Sequence, residues 1–249
     1  MYTIFLKFSC ISVYLSQIPT AFDEVVDNLA ESLPLADRIF TELSTAIVKG
    51  ELAPGERVPE QQLVERFGGS RSSVREAIQR LEARHLIVRV PNVGARVAQL
   101  SLEELRDIYE VRVELEGMAC RLATQRMTDE EVQELSSLLE SHKQTIDAEQ
   151  GQSYYQKAGD LDFHYCIIQG SKNTRLQQML LGDLYHQVRM YRYQTSTGKQ
   201  RPEKALEEHQ RIVEAIANRD AELAELLMRR HIQISLNNLE AKLKEQSKK

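Results

Sequence analysis

The amino-acid sequence predicts a mainly α-helical protein in two parts. Three short helices and a β-hairpin fill residues 34–100, and an antiparallel bundle of about six helices fills residues 101–245. Three observations carry that expectation. Charged residues make up 28% of the chain and aromatics 6%, with no Trp, a balance that favours helix over sheet. β-Branched residues concentrate in one stretch, "LIVRVPNVGARVAQL", where two short runs flank the turn Pro91-Asn92-Val93-Gly94. Beyond Leu100 the strand signals stop, and Ser101 with Glu104, then Thr128 with Glu131, have the spacing of helix-opening capping boxes.

The first part reads element by element. "LADRIFTELSTAIVKG" places apolar residues at 35, 36, 39, 40, 43, 46 and 47, which is helical spacing, and Gly50 stops it. "ELAPGERVP" turns at Pro54-Gly55, and "PEQQLVERFG" makes a helix from about Glu60 to Phe67 that Gly68-Gly69 ends. Ser70 caps "RSSVREAIQRLEARH", whose apolar stripe is Val74, Ala77, Ile78 and Leu81. Helix, helix, turn, helix and hairpin in that order make a helix-turn-helix followed by a wing. In the second part, helices run from Ser101 to about Gln125, from Thr128 onward, and over roughly 152–169, 173–195, 202–218 and 220–245. Their short connections suit antiparallel neighbours.

Charge separates the two parts. The formal net charge of -5 alone argues against a nucleic-acid binder, but residues 1–33 carry -3, residues 34–100 carry +2 and residues 101–249 carry -4. Within the middle segment, Arg71, Arg75, Arg80, Arg84, Arg89 and Arg96 are set against only Glu76 and Glu82. A basic module on an acidic body is expected when one part touches DNA and the other does not. The three scattered cysteines, Cys10, Cys120 and Cys166, imply no disulfide framework and fit a reducing cytoplasm. The apolar opening "MYTIFLKFSCISVYLSQIPTAF" resembles a short signal peptide. Lys7 interrupts it, however, no basic residue precedes it, and the A-x-A-like pattern is absent. Residues 1–33 are expected to be a disordered extension, with no membrane span.

In a helix-turn-helix the second helix enters the major groove with its N-terminal residues against base edges. Here that end is "SRSSVRE". Arg71 and Arg75 lie one turn apart and suit bidentate reading of guanine, while Ser72, Ser73 and the helix N-terminus suit phosphate oxygens. Taken alone, two such arginines equally describe a solvated surface helix; the hairpin behind them favours DNA. The segment 35–97 resembles the winged helix-turn-helix of the GntR family of bacterial transcription regulators, most specifically in the G-x-S-R-[ST]-x-V-R-E-A run at 68–77. That resemblance implies that Arg71, Ser72, Ser73 and Arg75 approach DNA, and that Gly94 lets the wing tip enter the minor groove. Gly69 stands where the family usually has Val, and Val93 where a basic residue is frequent. Wing contact is therefore expected to be weaker here, with specificity resting on the recognition helix.

In the bundle, Asp160 and His164 in "GDLDFHYC" stack one turn apart, an arrangement that suits either a structural hydrogen bond or two ligands of one metal ion. Three of the six histidines, His164, His209 and His231, fall on apolar stretches of three different helices. A lone histidine on an apolar face is usually a hydrogen-bonded core residue; three with a carboxylate nearby are harder to dismiss. The bundle resembles the FCD domain of FadR-type members of the family, in "DIYEVRVELEGMACRLA", "DLDFH", "EEHQRIVEAIANRD" and "LLMRRHI". The resemblance implies that Asp160, His164, His209 and His231 hold a divalent transition metal: zinc first, then nickel or manganese. Arg112 either clamps the carboxylate of a small organic acid or pairs with Glu116 one turn on. His85, His142 and His186 are expected to be surface or locally bonded. The same holds for the Tyr185, Arg189, Arg192 and Tyr193 face, expected to be partly buried bundle surface.

The expected function is a cytoplasmic, homodimeric transcription regulator on a near-palindromic double-stranded DNA operator, controlled by a small organic acid bound near the metal. The alternative is a metal-dependent hydrolase or isomerase with an accessory winged-helix domain. Against it stand the recognition-helix arginines, the lack of an H-E-x-x-H spacing, and Glu208, which its neighbour His209 turns to another side of the helix. A metal-free regulator with a fatty-acyl pocket is disfavoured by Asp160 and the three histidines.

Overall fold

The computed structural model describes residues 34–68, 70–99, 101–148, 159–195 and 201–246; the expectation for residues 1–33 lies outside them. Helix α1 (Leu35–Val48) buries Ala36, Ile39, Leu43 and Ile47, the stripe its spacing predicts. It gives way at Gly50, whose φ of 72° is the left-handed conformation that a helix C-terminus needs. Helix α2 (Glu60–Phe67) ends the same way on Gly68. The Ser70 Oγ accepts from the Ser73 N–H at 3.2 Å and so caps α3 (Arg71–Ala83).

Strands β1 (Ile87–Val90) and β2 (Gly94–Val97) form the antiparallel wing, pairing Ile87 with Val97 at its base and Val90 with Gly94 at its tip. Gly94 has φ 98°, which the tight wing turn requires and a side chain would strain. The wing is tied to the preceding loop, because Val58 N–H donates to Ala95 O and Val97 N–H donates to Glu56 O, each at 2.9 Å. Ile39, Leu43, Ile47, Val74, Ile78, Leu81 and Leu86 share the core beneath it.

The second part is helical among its described residues. It comprises α4 (Leu102–Arg126), α5 (Asp129–Ala148), α6 (Gly159–Gly170), α7 (Thr174–Gln177), a π-helical segment (Gln178–Leu184), α8 (Tyr185–Thr195), α9 (Arg201–Ala217) and α10 (Ala221–Gln246). The Thr128 capping box forms in full and the Ser101 one by half, because the Ser101 N–H donates to the Tyr191 hydroxyl instead of to Glu104. Ser101 Oγ accepts from Glu104 N–H at 3.0 Å, and Thr128 and Glu131 exchange reciprocal bonds. Helices α4 and α10 pack along their length, and Gly117 lets Arg229 lie across α4, since a Cβ there would stand 2.8 Å from Arg229 Cγ. The expected helix over 173–195 exists as one run, but its middle is widened into the π-helical segment. No helix among the described residues is long and apolar enough to cross a membrane.

Helix α8 belongs to both parts. Val188 and Tyr191 lie in the bundle core, whereas Met190 is buried in the core of the winged head with Tyr193 packed against it. His186 meets Phe40 of α1 edge-on at 5.7 Å. The Tyr191 hydroxyl accepts from the Ser101 N–H at 3.1 Å, fastening the segment that joins head to bundle.

Candidate DNA interface and metal centre

Arg71 and Ser72 stand exposed at the start of α3, with Ser73 half-buried and Arg75 exposed one turn on. The Ser70 hydroxyl lies 2.7 Å from that of Ser72 and 3.0 Å from that of Ser73, a polar rim around the helix N-terminus. Arg75 Nε donates to Glu60 Oε2 at 3.0 Å, so α2 holds its guanidinium. Among the described residues no ion pair holds Arg71.

The basic surplus of the head is smaller than its sequence suggests. Arg80 pairs with Asp37, Arg89 with Glu82 and Glu60, and Arg80 and Arg84 lie over the Phe40 ring at 4.7 and 4.8 Å. Arg96 donates to the Gly55 carbonyl. These arginines build the head. The wing tip, in contrast, gains a cation that position 93 lacks: exposed Arg57 donates to Val93 O at 3.0 Å. Its 36-residue separation hid it from any local reading.

In the bundle, α6, α9 and α10 bring His164, His209 and His231 together, all buried, with one ligand atom of each within 4.8 Å of the others. The Nε2 of His231 lies 3.2 Å from both His164 Nε2 and His209 Nε2. His164 Nδ1 donates to Glu116 Oε2, and His231 Nδ1 donates to Glu208 Oε2, each at 2.6 Å. Those carboxylates draw the ring protons to Nδ1 and leave Nε2 lone pairs pointing at each other. Facing lone pairs repel unless a cation lies among them, so the residues fit a transition metal with imidazole ligands.

Burial pushes His231 down to about 3, and burial, aided by the neighbouring imidazoles, holds His209 well below its ordinary value, so both rings stay neutral as ligands must. Phe163 stacks on His209 at 3.9 Å and fixes its plane. Asp160 opens the helix that carries His164; its side chain lies outside the described residues.

Glu208 corrects an expectation. It does leave its helix on a different side from His209, yet that side faces α10, and its carboxylate orients His231. Glu116 was expected only as a possible partner of Arg112; it bonds Arg112 Nε at 2.5 Å through Oε1 and His164 through Oε2. Burial alone would raise the Glu116 carboxyl, but Arg112 and His164 together hold it well below the usual carboxylate range. His142 is buried rather than on the surface, and burial lowers it to about 4. His186 packs between Phe40 and Tyr185. His85 is exposed as expected. Cys120 is fully buried and held as the thiol by burial, consistent with an inert role.

Arg112 makes the expected pair with Glu116. Its Nε is taken by Glu116 and its guanidinium lies 4.6 Å over the Tyr109 ring, while its Nη1 is buried without a hydrogen-bond partner among the described residues. Arg112, Glu116 and His164 form the polar end of a small recess open to solvent. Among the described residues its wall is completed by Ile168 of α6, by the π-helical segment through Leu180 and Leu184, and by Val188 of α8. Wide π turns occur frequently at functional sites.

Known proteins share the sequence families and the fold of this chain. Residues 35–97 match the family of bacterial regulatory proteins described as gntR, and residues 107–234 match the FCD domain. The HTH-type transcriptional regulator YdhC of Bacillus subtilis is 30% identical over 88% of this chain and 96% of its own length. The HTH-type transcriptional repressor RspR of Escherichia coli is 27% identical over 84% of this chain and 90% of its own. Among solved structures, Escherichia coli McbR/YncC has the same fold, with a TM-score of 0.71 at 23% identity over 83% of this chain and 97% of that one. None of these supports the hydrolase or isomerase alternative. The chain belongs to the gntR family of bacterial regulatory proteins, in the FadR-type branch with an FCD domain, and is a DNA-binding transcription regulator.

Proposed function

We propose that residues 101–245 form an effector domain that holds one divalent transition metal and a small organic acid, and that this occupancy sets the affinity of residues 34–100 for a DNA operator. The observation that carries the proposal is the convergence of three buried Nε2 atoms beside a buried arginine nitrogen with no partner among the described residues. His164, His209 and His231 would hold the metal, with Asp160 as the fourth ligand that family resemblance supplies. Zinc suits the imidazole set best; nickel and manganese are the competitors. The metal would supply a fixed positive charge for an acid oxygen, and Arg112 would add a charge-assisted hydrogen bond.

On DNA, Arg71 and Arg75 read base edges, Ser72, Ser73 and the α3 N-terminus take phosphates, and the Gly94 turn brings the wing to the minor groove. Helix α8 links the two activities, because the same helix lines the recess with Tyr185 and Val188 and enters the head's core with Met190. An acid that favours one setting of α8 shifts the population of head orientations by its differential affinity for the two.

A homodimer on a near-palindromic operator follows the usual twofold logic. The apolar stripe Val111, Leu115 and Met118 on α4, exposed or half-exposed, supports it. Relatives named as repressors favour repression, and work on DNA favours the cytoplasm. Elemental analysis tests the metal. One equivalent of transition metal per chain, lost when His164 and His231 are both changed to Ala, is the expected result. No metal in either protein would leave the histidines as a core hydrogen-bond cluster and remove the metal from the proposal.

A further inference from the structure

We propose that Tyr191 is a positioning residue that holds the winged head on the bundle through an exchangeable bond. Its hydroxyl takes the Ser101 N–H while α8 is docked, and Glu104 takes that N–H over when α8 withdraws. This rests on the joining of the two parts by α8 and needs neither the metal nor the acid. The two capping boxes of the bundle stand for the two states of the exchange. At Thr128 the N–H donates to Glu131 Oε2 at 2.7 Å, and the Glu131 N–H donates to Thr128 Oγ1 at 3.2 Å, which closes the box. At Ser101 the Oγ accepts from the Glu104 N–H at 3.0 Å in the same way, but the returning half is interrupted. The Tyr191 hydroxyl accepts from the Ser101 N–H at 3.1 Å. It offers its one proton to Glu104 Oε2 or to the Ser101 carbonyl, each also 3.1 Å away. Gln187, one turn earlier on α8, donates from Nε2 to Glu104 Oε1 at 3.4 Å. Two side chains of α8 thus hold open a box that its own carboxylate is spaced to close.

The place of this bond is what gives it an effect on the head. The wing ends at Val97 and Ser101 opens α4, so the bond sits where the chain leaves the head for the bundle. Tyr191 is fully buried in the bundle core, while its neighbour Met190 is buried in the core of the head. Fixing Tyr191 to Ser101 therefore ties the helix that enters the head to the segment by which the head is attached. Ordinarily such a tie would be hard to undo, because an N–H at a helix start left without an acceptor is destabilising. Here Glu104 lies within reach, so the Ser101 N–H changes acceptor instead of losing one. Two acceptors for one donor bring two settings of α8 close in free energy. That is the condition under which a small bias moves the population between them.

The test is a double-variant cycle in the full-length protein: Tyr191→Phe, Glu104→Ala and the two together. Each is unfolded in urea and titrated with a duplex selected from a random pool. Alternative acceptors predict small drops in urea midpoint for the single variants, and a drop for the pair that exceeds their sum. An ordinary bond between Tyr191 and Glu104 predicts the reverse, because either change alone already breaks it. A paired drop equal to the sum or smaller would overturn the exchange. If the paired variant is too unstable to titrate, amide hydrogen exchange at Ser101 decides. Protection retained in Tyr191→Phe supports the exchange, and protection lost there overturns it. On DNA, Tyr191→Phe should change the affinity by about threefold or more, whereas Glu104→Ala, which leaves Tyr191 on Ser101, should not change it. Wild-type affinity in Tyr191→Phe, or an equal change in both single variants, would overturn the positioning role of the hydroxyl. No acid enters these measurements, so failure of the effector reading would leave them unchanged.

Discussion

The winged head and the helical bundle solve opposite problems with the same residue types. In the head, Arg71, Ser72 and Arg75 stand in solvent on one turn of one helix, where a charge costs little until DNA arrives. In the bundle, Arg112, Glu116, His164, His209 and His231 are all buried and come from α4, α6, α9 and α10. Removing such groups from water costs several kcal/mol per charge unless partners return it. The bundle therefore builds a closed chain of bonds, Arg112 to Glu116 to His164, with Glu208 holding His231. The contrast teaches that a surface site can be read from a few adjacent residues, while a buried site is specified by its supporting partners as much as by its ligands.

If the buried site works as a unit, breaking it has the largest effect. His209→Ala should abolish the metal-dependent part of stability, about 4 kcal/mol when the metal is a thousandfold above its Kd. Urea unfolding with and without zinc checks this; an equal loss in the metal-free protein would mean His209 is only a core residue. The exposed site should respond to single changes without affecting the fold. Arg71→Ala should weaken binding to a selected duplex by about 1–3 kcal/mol at unchanged helical content. Arg75→Ala should cost less, because Arg75 is already shared with Glu60. Unaltered binding for Arg71→Ala would contradict the recognition-helix assignment.

Acid should separate the two regions further. Burial holds His231 near 3, and His209 well below the ordinary 6.5, so between those limits the unfolded chain binds protons that the folded bundle refuses. The stability they contribute is fully present above about pH 6.5 and is lost as pH falls toward about 3. Buried His142, near 4, acts in the same direction. Urea midpoints of metal-free protein at pH 7, 5.5 and 4.5 should fall in that order; a flat profile would contradict neutral buried imidazoles. The smallest effect belongs to the wing. Val93→Arg should tighten DNA binding and steepen its salt dependence by about one phosphate's worth. Arg57 already places one cation at that tip, so the gain should be larger in Arg57→Ala protein.

The two regions also differ in how far their sequences reveal them. Helices α1 to α3 and the wing follow directly from local signals: the 36, 39, 43, 47 stripe, the Ser70 cap and the glycines at 50, 68 and 94. The three histidines were identifiable because apolar neighbours flagged their burial. Their support was not. Glu116 and His164 are 48 residues apart, and Glu208 reaches across to His231 on the next helix. Spacing within one helix carries no signal for such pairs. The π-helical segment escaped for a related reason: Leu176, Leu180, Leu184 and Val188 recur every four residues, which an ordinary helix satisfies equally well. That Met190 completes the core of the head is likewise a long-range fact, invisible in a helix whose Val188 and Tyr191 face the bundle.

The most direct test of the coupling between these regions is the affinity of zinc-loaded full-length protein for a duplex selected from a random pool. It is measured by fluorescence anisotropy with and without a saturating small organic acid found to bind by calorimetric titration, in wild type and in Arg112→Leu. The expected result is an affinity that the acid changes by fivefold or more in wild type and leaves unchanged in the variant, in the 1–3 kcal/mol range of coupling between sites. Identical affinity in all four conditions, with the acid shown to be bound to the wild type, would contradict the account: head and bundle would then share a chain without sharing a function.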